Sequence, residues 1–270
     1  MRSLIFNALF YALTAMTAVI IALFLWVPGR AFTMGALQLY TRTICFLMRW
    51  VAGIKIEVKG LENVPEGVCI LAAKHQSYGD GHVILSNIKD LSFVTGDQLL
   101  KYPLLKHILG KMNAVVIDSC GGSDVRQDMD AQAQIIKNQG RRILIFPEGH
   151  LSQIGTHHRY RKGVWHLYND FGCPVVPVAN SLGQRWNQMD WQKHKGRATV
   201  EFLQPILPGM EKEEFMALLQ EQIETRSIAL LDHDNLGALA PEDIGQLREN
   251  EAAHRKRILR EAEENIEGTK

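Results

Sequence analysis

Between residues 54 and 203 the chain alternates short apolar runs with longer polar stretches, and this alternation limits the folds open to it more than any other feature. Residues 54–58, 68–73, 91–94, 114–118, 143–146, 174–179 and 198–203 each have the length and the aliphatic or β-branched content of a strand. The interval 124–138 reads as a helix that Gly140 ends, and Gly60 and Pro65-Glu66-Gly67 mark an early turn. Strands separated by helices are joined by crossovers, so the pattern predicts an α/β fold. We expect a roughly seven-stranded, mixed but largely parallel sheet with helices on both faces. Such sheets hold ligands beyond the C-terminal ends of their strands.

At 270 residues the chain has room for one large domain with appendages. Residues 4–27 contain no charge, and a helix of that length, at about 1.5 Å per residue, covers the hydrocarbon core of a bilayer. The run is long for a secretory signal, and no small-x-small cleavage site follows before Pro28-Gly29-Arg30. It is read as a hydrophobic helical membrane anchor. Arg30, Arg42, Arg49 and Lys55 follow it while only Arg2 precedes it, a bias that places the body of the protein on the cytoplasmic side of the cytoplasmic membrane. Residues 31–54 remain apolar but carry Arg42 and Arg49. They fit a charge-bearing amphipathic helix on the headgroups, a second, poorer span, or a helix packed on the core. The expected division is residues 1–53 for membrane anchoring, 54–232 for the α/β domain and 233–270 for a charged tail, in which 248–264 is strongly helix-forming.

With 30 Lys and Arg against 29 Asp and Glu, the net charge of +1 gives no footprint for nucleic acid. Cys45, Cys69, Cys120 and Cys173 have no paired spacing and read as reduced residues of a cytosolic compartment. His150, His157, His158 and His166 cluster in sequence, but their steps match no usual ligand spacing, so no metal is expected.

The chemistry is expected at Lys74-His75-Gln76-Ser77-Tyr78-Gly79-Asp80, directly after the second apolar run. His75 falls at a strand's C-terminal end and Asp80 at the start of the next helix, close enough for the carboxylate to accept a hydrogen bond from Nδ1–H. Nε2 is then left as a base near neutral pH. Alone, the same pair reads as a loop histidine beside a capping aspartate. A second feature, Phe146-Pro147-Glu148-Gly149, ends another strand, where Pro147 stops the ladder and leaves Glu148 on a loop to accept hydrogen bonds from a polyhydroxyl substrate. A plain turn is the alternative. The third, Val175-Val176-Pro177-Val178, reads as a strand interrupted by proline, hence an edge or a bulge.

A hydrophobic N-terminus followed by His75-x4-Asp80, Val116-Ile117-Asp118, Phe146-Pro147-Glu148-Gly149 and Val176-Pro177-Val178 resembles the 1-acyl-sn-glycerol-3-phosphate acyltransferase family, over about residues 4–231. The resemblance implies the glycerolipid acyltransferase fold and a membrane-bound O-acyltransferase of phospholipid biosynthesis. Such an enzyme moves a fatty acyl group from acyl carrier protein or coenzyme A to a lysolipid hydroxyl without a resident cofactor or a covalent acyl-enzyme. His75 and Asp80 would be catalytic, and Glu148, Gly149 and Asp118 would lie against the substrate.

Three basic positions of the family pattern are replaced here, by Gly96, Ser119 and Leu151. In the family these groups are tied to the acceptor's phosphate, and their loss removes charge-assisted contacts. Either Arg159, Lys162 and neighbours such as Arg161 and the histidines restore a positive pocket, or the acceptor is a different lipid. A lyso-ornithine lipid, whose amine Asp97 or Asp118 would meet, is that alternative. A lipid-binding protein without catalysis is a third reading, against which the intact His75 and Asp80 stand.

Overall fold

The computed structural model describes residues 1–117, 123–156, 158–188 and 190–239, with Lys256 and Arg260; for Pro103 and residues 123–130 it describes the backbone alone. Asp118, Ser119, Cys120, His157 and nearly all of the expected tail helix lie outside the described residues. Each of the seven apolar runs forms a strand: β1 Ile54–Lys59, β2 Ile70–Ala73, β3 Ser92–Gly96, β4 Val115–Ile117, β5 Ile143–Ile145, β6 Val175–Asn180 and β7 Gly196–Phe202. They make one sheet in the order β1-β7-β6-β2-β5-β3-β4. Every neighbouring pair is parallel except β6 and β7.

The strands bury alternate residues on opposite faces, as a period of two requires. Leu71 and Ala73 of β2 and Val176 and Val178 of β6 enter one core, whereas Ile70, Ala72 and Val175 enter the other. The second core is closed by α5 (Ser123–Asn138), α6 (Gly163–Phe171) and α7 (Lys212–Ala229), through Ile136, Leu167, Phe215 and Ile223 among others. The first is closed by α1 (Arg2–Leu23), α2 (Ala31–Leu47), the π-helical turn Met48–Ala52 and α3 (Gly79–Asn87). Phe6, Ile44, Met48 and Ala52 are buried members of that core. The N-terminal helices are therefore more than an appendage: they cover a sheet face that the nine-residue α3 is too short to close.

α1 is long and apolar enough to cross a membrane. It nevertheless lies along the body. Near its start Phe6 meets Trp186 edge-on at 5.1 Å and the Asn7 amide donates to the Trp191 carbonyl at 3.0 Å. Near its end Ile21 packs on Ile108 and Met112 of α4 (Pro103–Met112). The side turned away from the body exposes Leu4, Leu9, Met16, Val19 and Leu23, and α2 and its turn expose Leu39, Phe46 and Trp50.

The proline of β6 corrects the expectation of an edge or bulge, because β6 lies inside the sheet between β7 and β2. The antiparallel ladder to β7 runs only from Val178 to Asn180, so the missing N–H of Pro177 falls just outside it. The Pro177 carbonyl still accepts the Leu203 N–H at 2.8 Å.

Beyond α7 the chain returns to the body. The buried Arg185 guanidinium donates to the Asp232 carboxylate at 2.9 Å and to the Asn235 carbonyl at 2.6 Å, and the Ala238 N–H donates to the Gln184 carbonyl at 3.1 Å. Residues 233–239 are thus fastened to the sheet's rim.

Candidate active site

β2 continues its ladder one residue past Ala73, where the Lys74 N–H donates to the Val178 carbonyl at 2.9 Å. The chain then turns sharply into α3. The Ser77 hydroxyl accepts the Gly79 N–H at 3.0 Å, and the Asp80 side chain reaches back to accept the N–H groups of Gln76 at 2.7 Å and Ser77 at 2.8 Å. Asp80 stands in the first helical turn, where the helix dipole favours an anion. The oxygen that takes these two bonds, Oδ2, lies 3.2 Å from His75 Nδ1. A carboxylate only accepts, so Nδ1 carries the proton and Nε2 is the basic nitrogen.

Asp80 is fully buried, and burial pushes its carboxyl up, against the opposing pull of His75 and the two backbone N–H groups. His75 remains 21% exposed. Its ring stacks on Phe146 with centroids 3.8 Å apart and planes 15° from parallel. The dyad is thus fixed on one side by a carboxylate and on another by an aromatic face, with access from solvent.

Glu148 behaves differently from its expected role. It is buried, its Oε2 accepts from the Lys74 ammonium at 3.0 Å, and its Oε1 accepts the His75 N–H at 3.1 Å. The expectation of a loop glutamate offered to a polyhydroxyl substrate is corrected: both oxygens are spent holding the segment that carries His75. A buried lysine demands such partners. Lys74 has a second one in Glu224 of α7, whose two oxygens lie 2.8 Å from the ammonium, with the Tyr160 hydroxyl donating to the same carboxylate at 2.8 Å. Burial works against the ammonium, but Glu224 and Glu148 outweigh it and hold the Lys74 pKa above its ordinary value. The backbone beside His75 is pinned as well, since the Asn180 amide donates to the Lys74 carbonyl at 2.8 Å and the Ser152 N–H to the His75 carbonyl at 2.8 Å.

Gly149 has φ +75°, and a Cβ there would lie 2.7 Å from Arg161 Cδ and 2.9 Å from its Cζ. Glycine is required on both counts, and the close approach lays the Arg161 side chain over the loop that holds His75. Arg159 and Lys162 are exposed on the same segment ahead of α6, and neither hydrogen-bonds to His75 or Asp80. His150 and His158 meet edge-on at 4.3 Å. Among the described residues no three His, Cys, Asp or Glu side chains converge on a metal site. Gly96 ends β3, followed by Asp97.

Ser152 and Glu224 were not legible as site residues, and Lys74 and Phe146 stood inside the expected motifs without a role of their own. A charged Lys74 at the end of an apolar run was the one available signal. Its partner, 150 residues away, was not inferable from local pattern.

The family model described as Acyltransferase matches residues 55–181, which contain the whole dyad and the loop after β5. A 1-acyl-sn-glycerol-3-phosphate acyltransferase of Pseudomonas aeruginosa is 32% identical over 186 residues, 69% of this chain and 71% of that protein. An enzyme of the same name from Limnanthes douglasii is 27% identical over 63% of this chain and 60% of its own length. In fold, the chain superposes on the crystal structure of the 1-acyl-sn-glycerophosphate (LPA) acyltransferase PlsC from Thermotoga maritima with a TM-score of 0.69, covering 85% of this chain and 98% of that one at 20% identity. With the dyad in place on that fold, the chain belongs to the 1-acyl-sn-glycerol-3-phosphate acyltransferase family and is an O-acyltransferase.

Proposed function

We propose that the enzyme transfers a fatty acyl group from a thioester of acyl carrier protein or coenzyme A to the free hydroxyl of 1-acyl-sn-glycerol-3-phosphate, giving phosphatidate for phospholipid biosynthesis. The observation that carries this reading is the His75–Asp80 pair, with Nδ1 committed at 3.2 Å and Nε2 left as the base. Nε2 takes the acceptor's hydroxyl proton as the oxygen attacks the thioester carbonyl. Asp80 holds the tautomer and stabilises the imidazolium. When the tetrahedral intermediate collapses, the C–S bond breaks and the imidazolium returns its proton to the leaving thiolate. The acyl–oxygen ester is then complete and the base is regenerated. A positioned base of this kind contributes roughly 10²–10⁴-fold.

Arg161 across Gly149, with Arg159 and Lys162 exposed nearby, favours an acceptor that carries a phosphate over a cationic headgroup. The exposed apolar sides of α1 and α2 fit attachment to the cytoplasmic membrane, where acceptor and acyl chain both reside. Because α1 is held against the body near both ends, we read residues 1–53 as lying in the membrane surface rather than crossing it. Residues 54–232 carry the chemistry in the cytoplasm.

The test is transfer of labelled acyl groups from both thioesters to lysophosphatidate and to lyso-ornithine lipid, with His75→Ala as the blank. Product from lysophosphatidate is expected, and Arg161→Met should raise KM for it while leaving kcat nearly unchanged. Product from the ornithine lipid alone would overturn the acceptor. Full activity of His75→Ala would overturn the mechanism.

A further inference from the structure

The chain is almost neutral overall, with a net charge of +1, yet one groove gathers Arg2, Arg49, Lys55, Lys195 and Arg197. Lys55 and Arg197 are register partners on the parallel strands β1 and β7, so two like charges stand directly opposite on one face. That arrangement is destabilising unless something offsets it. Arg2 is brought in by its Nε, which donates to the Val51 carbonyl at 3.2 Å, and a Cβ on Gly53 would lie 3.1 Å from its guanidinium and 3.3 Å from Lys195 Cβ. Among the described residues, the one carboxylate lining the groove, Asp232, is taken by the buried Arg185 at 2.9 Å. Among the described residues, none of the five cations forms an ion pair.

The groove's position is as informative as its charge. β7 runs antiparallel to β6, with Asn180 paired to Val200, and β1 starts opposite Gly196. The starts of β1 and β7 therefore lie at the same end of the sheet as the C-terminal end of β2, where His75 stands. Exposed apolar groups rim the cations: Trp50 is 65% exposed beside Arg49, which sits 5.7 Å from its ring, and Trp191 and Leu4 are 66% and 68% exposed. Tryptophan interleaved with Arg and Lys is the composition of a membrane–water interface, not of a soluble acidic partner's dock.

We propose that this groove binds the phosphates of anionic phospholipid headgroups, orienting the catalytic end of the sheet toward the bilayer that supplies the acceptor. The proposal rests on the membrane attachment read above and adds its electrostatic half. The negative surface potential favours each Lys or Arg held near it by about 1 kcal/mol, roughly fivefold in affinity per charge.

The experiment is co-sedimentation of the full chain with phosphatidylcholine vesicles, with and without phosphatidylglycerol, at low and high salt. Wild type is expected to bind the anionic vesicles more tightly, with a preference that salt removes. The variant Arg49→Gln/Lys55→Gln/Lys195→Gln/Arg197→Gln, its fold checked by circular dichroism, is expected to lose that preference and to bind neutral vesicles as wild type does. A second variant, Leu4→Ser/Trp50→Ser, weakens binding to both vesicles and so reports the apolar attachment separately. A preference for phosphatidylglycerol that survives the four substitutions, or is absent from wild type, overturns the proposal. Loss of acyl carrier protein binding by the four-site variant with its lipid preference intact assigns the groove to the donor protein instead and equally overturns it.

Discussion

At the scale of single residues, one carboxylate oxygen organises the candidate site. Oδ2 of Asp80 accepts from Gln76, Ser77 and His75, while Oδ1 is buried and unpaired among the described residues. In Asp80→Asn the amide oxygen can occupy the place of Oδ2. The NH2 group then fills the partnerless position, and the charge facing the imidazolium is gone. We expect kcat to fall by about 10²–10⁴-fold with KM little changed, because the lost interaction strengthens as His75 gains its proton. Steady-state kinetics on Asp80→Asn checks this, and a variant that lost only KM would show that Asp80 serves binding. The dyad was legible in the sequence because it is local: the two residues are five apart, and the strand end and helix start between them fix the return. Glu148 was legible as a motif but not as a role. The local pattern left it on a loop, and only long-range packing reveals the buried ammonium it must neutralise.

At the scale of elements, Lys74 joins β2, the loop after β5 and α7 through one buried ammonium. Removing one member of a buried charge set costs more than the set itself contributes, because the remainder is left uncompensated. Lys74→Met leaves Glu148 and Glu224 facing each other without a cation, and should destabilise the fold by about 3–5 kcal/mol. The double variant Lys74→Met/Glu224→Gln should recover part of that loss. Denaturant titrations of wild type, Lys74→Met, Glu224→Gln and the double variant test the coupling, and additive losses would refute it. Glu148, freed from Lys74, keeps its bond to the His75 N–H only if the loop stays in place, so kcat should follow stability in this series. The strands were readable because each is a short buried run with turn residues at its ends. The placement of β6 inside the sheet was not, since a proline argues for an edge unless its missing N–H falls beyond a short ladder. The packing of α1 was hidden for a related reason: an apolar run reports that a helix must leave water, not whether lipid or the sheet will cover it. Here Phe6 and Ile21 face protein and Leu4 and Leu23 do not.

At the scale of the whole molecule, the seam between the N-terminal helices and the α/β body carries a titratable group whose sign can be worked out. His82 of α3 has its Nδ1 2.7 Å from the Tyr78 carbonyl and its Nε2 3.1 Å from the Tyr40 hydroxyl of α2, and its ring lies against Phe10 of α1 and Trp186. Burial in this aromatic seam lowers its pKa below the ordinary value of 6.5, with the Tyr78 carbonyl partly opposing the shift. The unfolded chain therefore binds a proton at this residue before the folded one does. The stability that the neutral imidazole contributes is fully present above about pH 6.5 and is lost as pH falls from there through the lower, folded value. Mild acid should thus loosen α1 and α2 from the body. The Tm of wild type is expected to drop more steeply between about pH 7.5 and about pH 5.5, one unit either side of the imidazole's ordinary value of 6.5, than that of His82→Phe, which keeps the ring contacts and removes the proton. Equal slopes for the two proteins would mean that the seam does not sense pH. A wild type that grew more stable on acidification relative to His82→Phe would reverse the sign of the argument and show the imidazole to be charged within the fold.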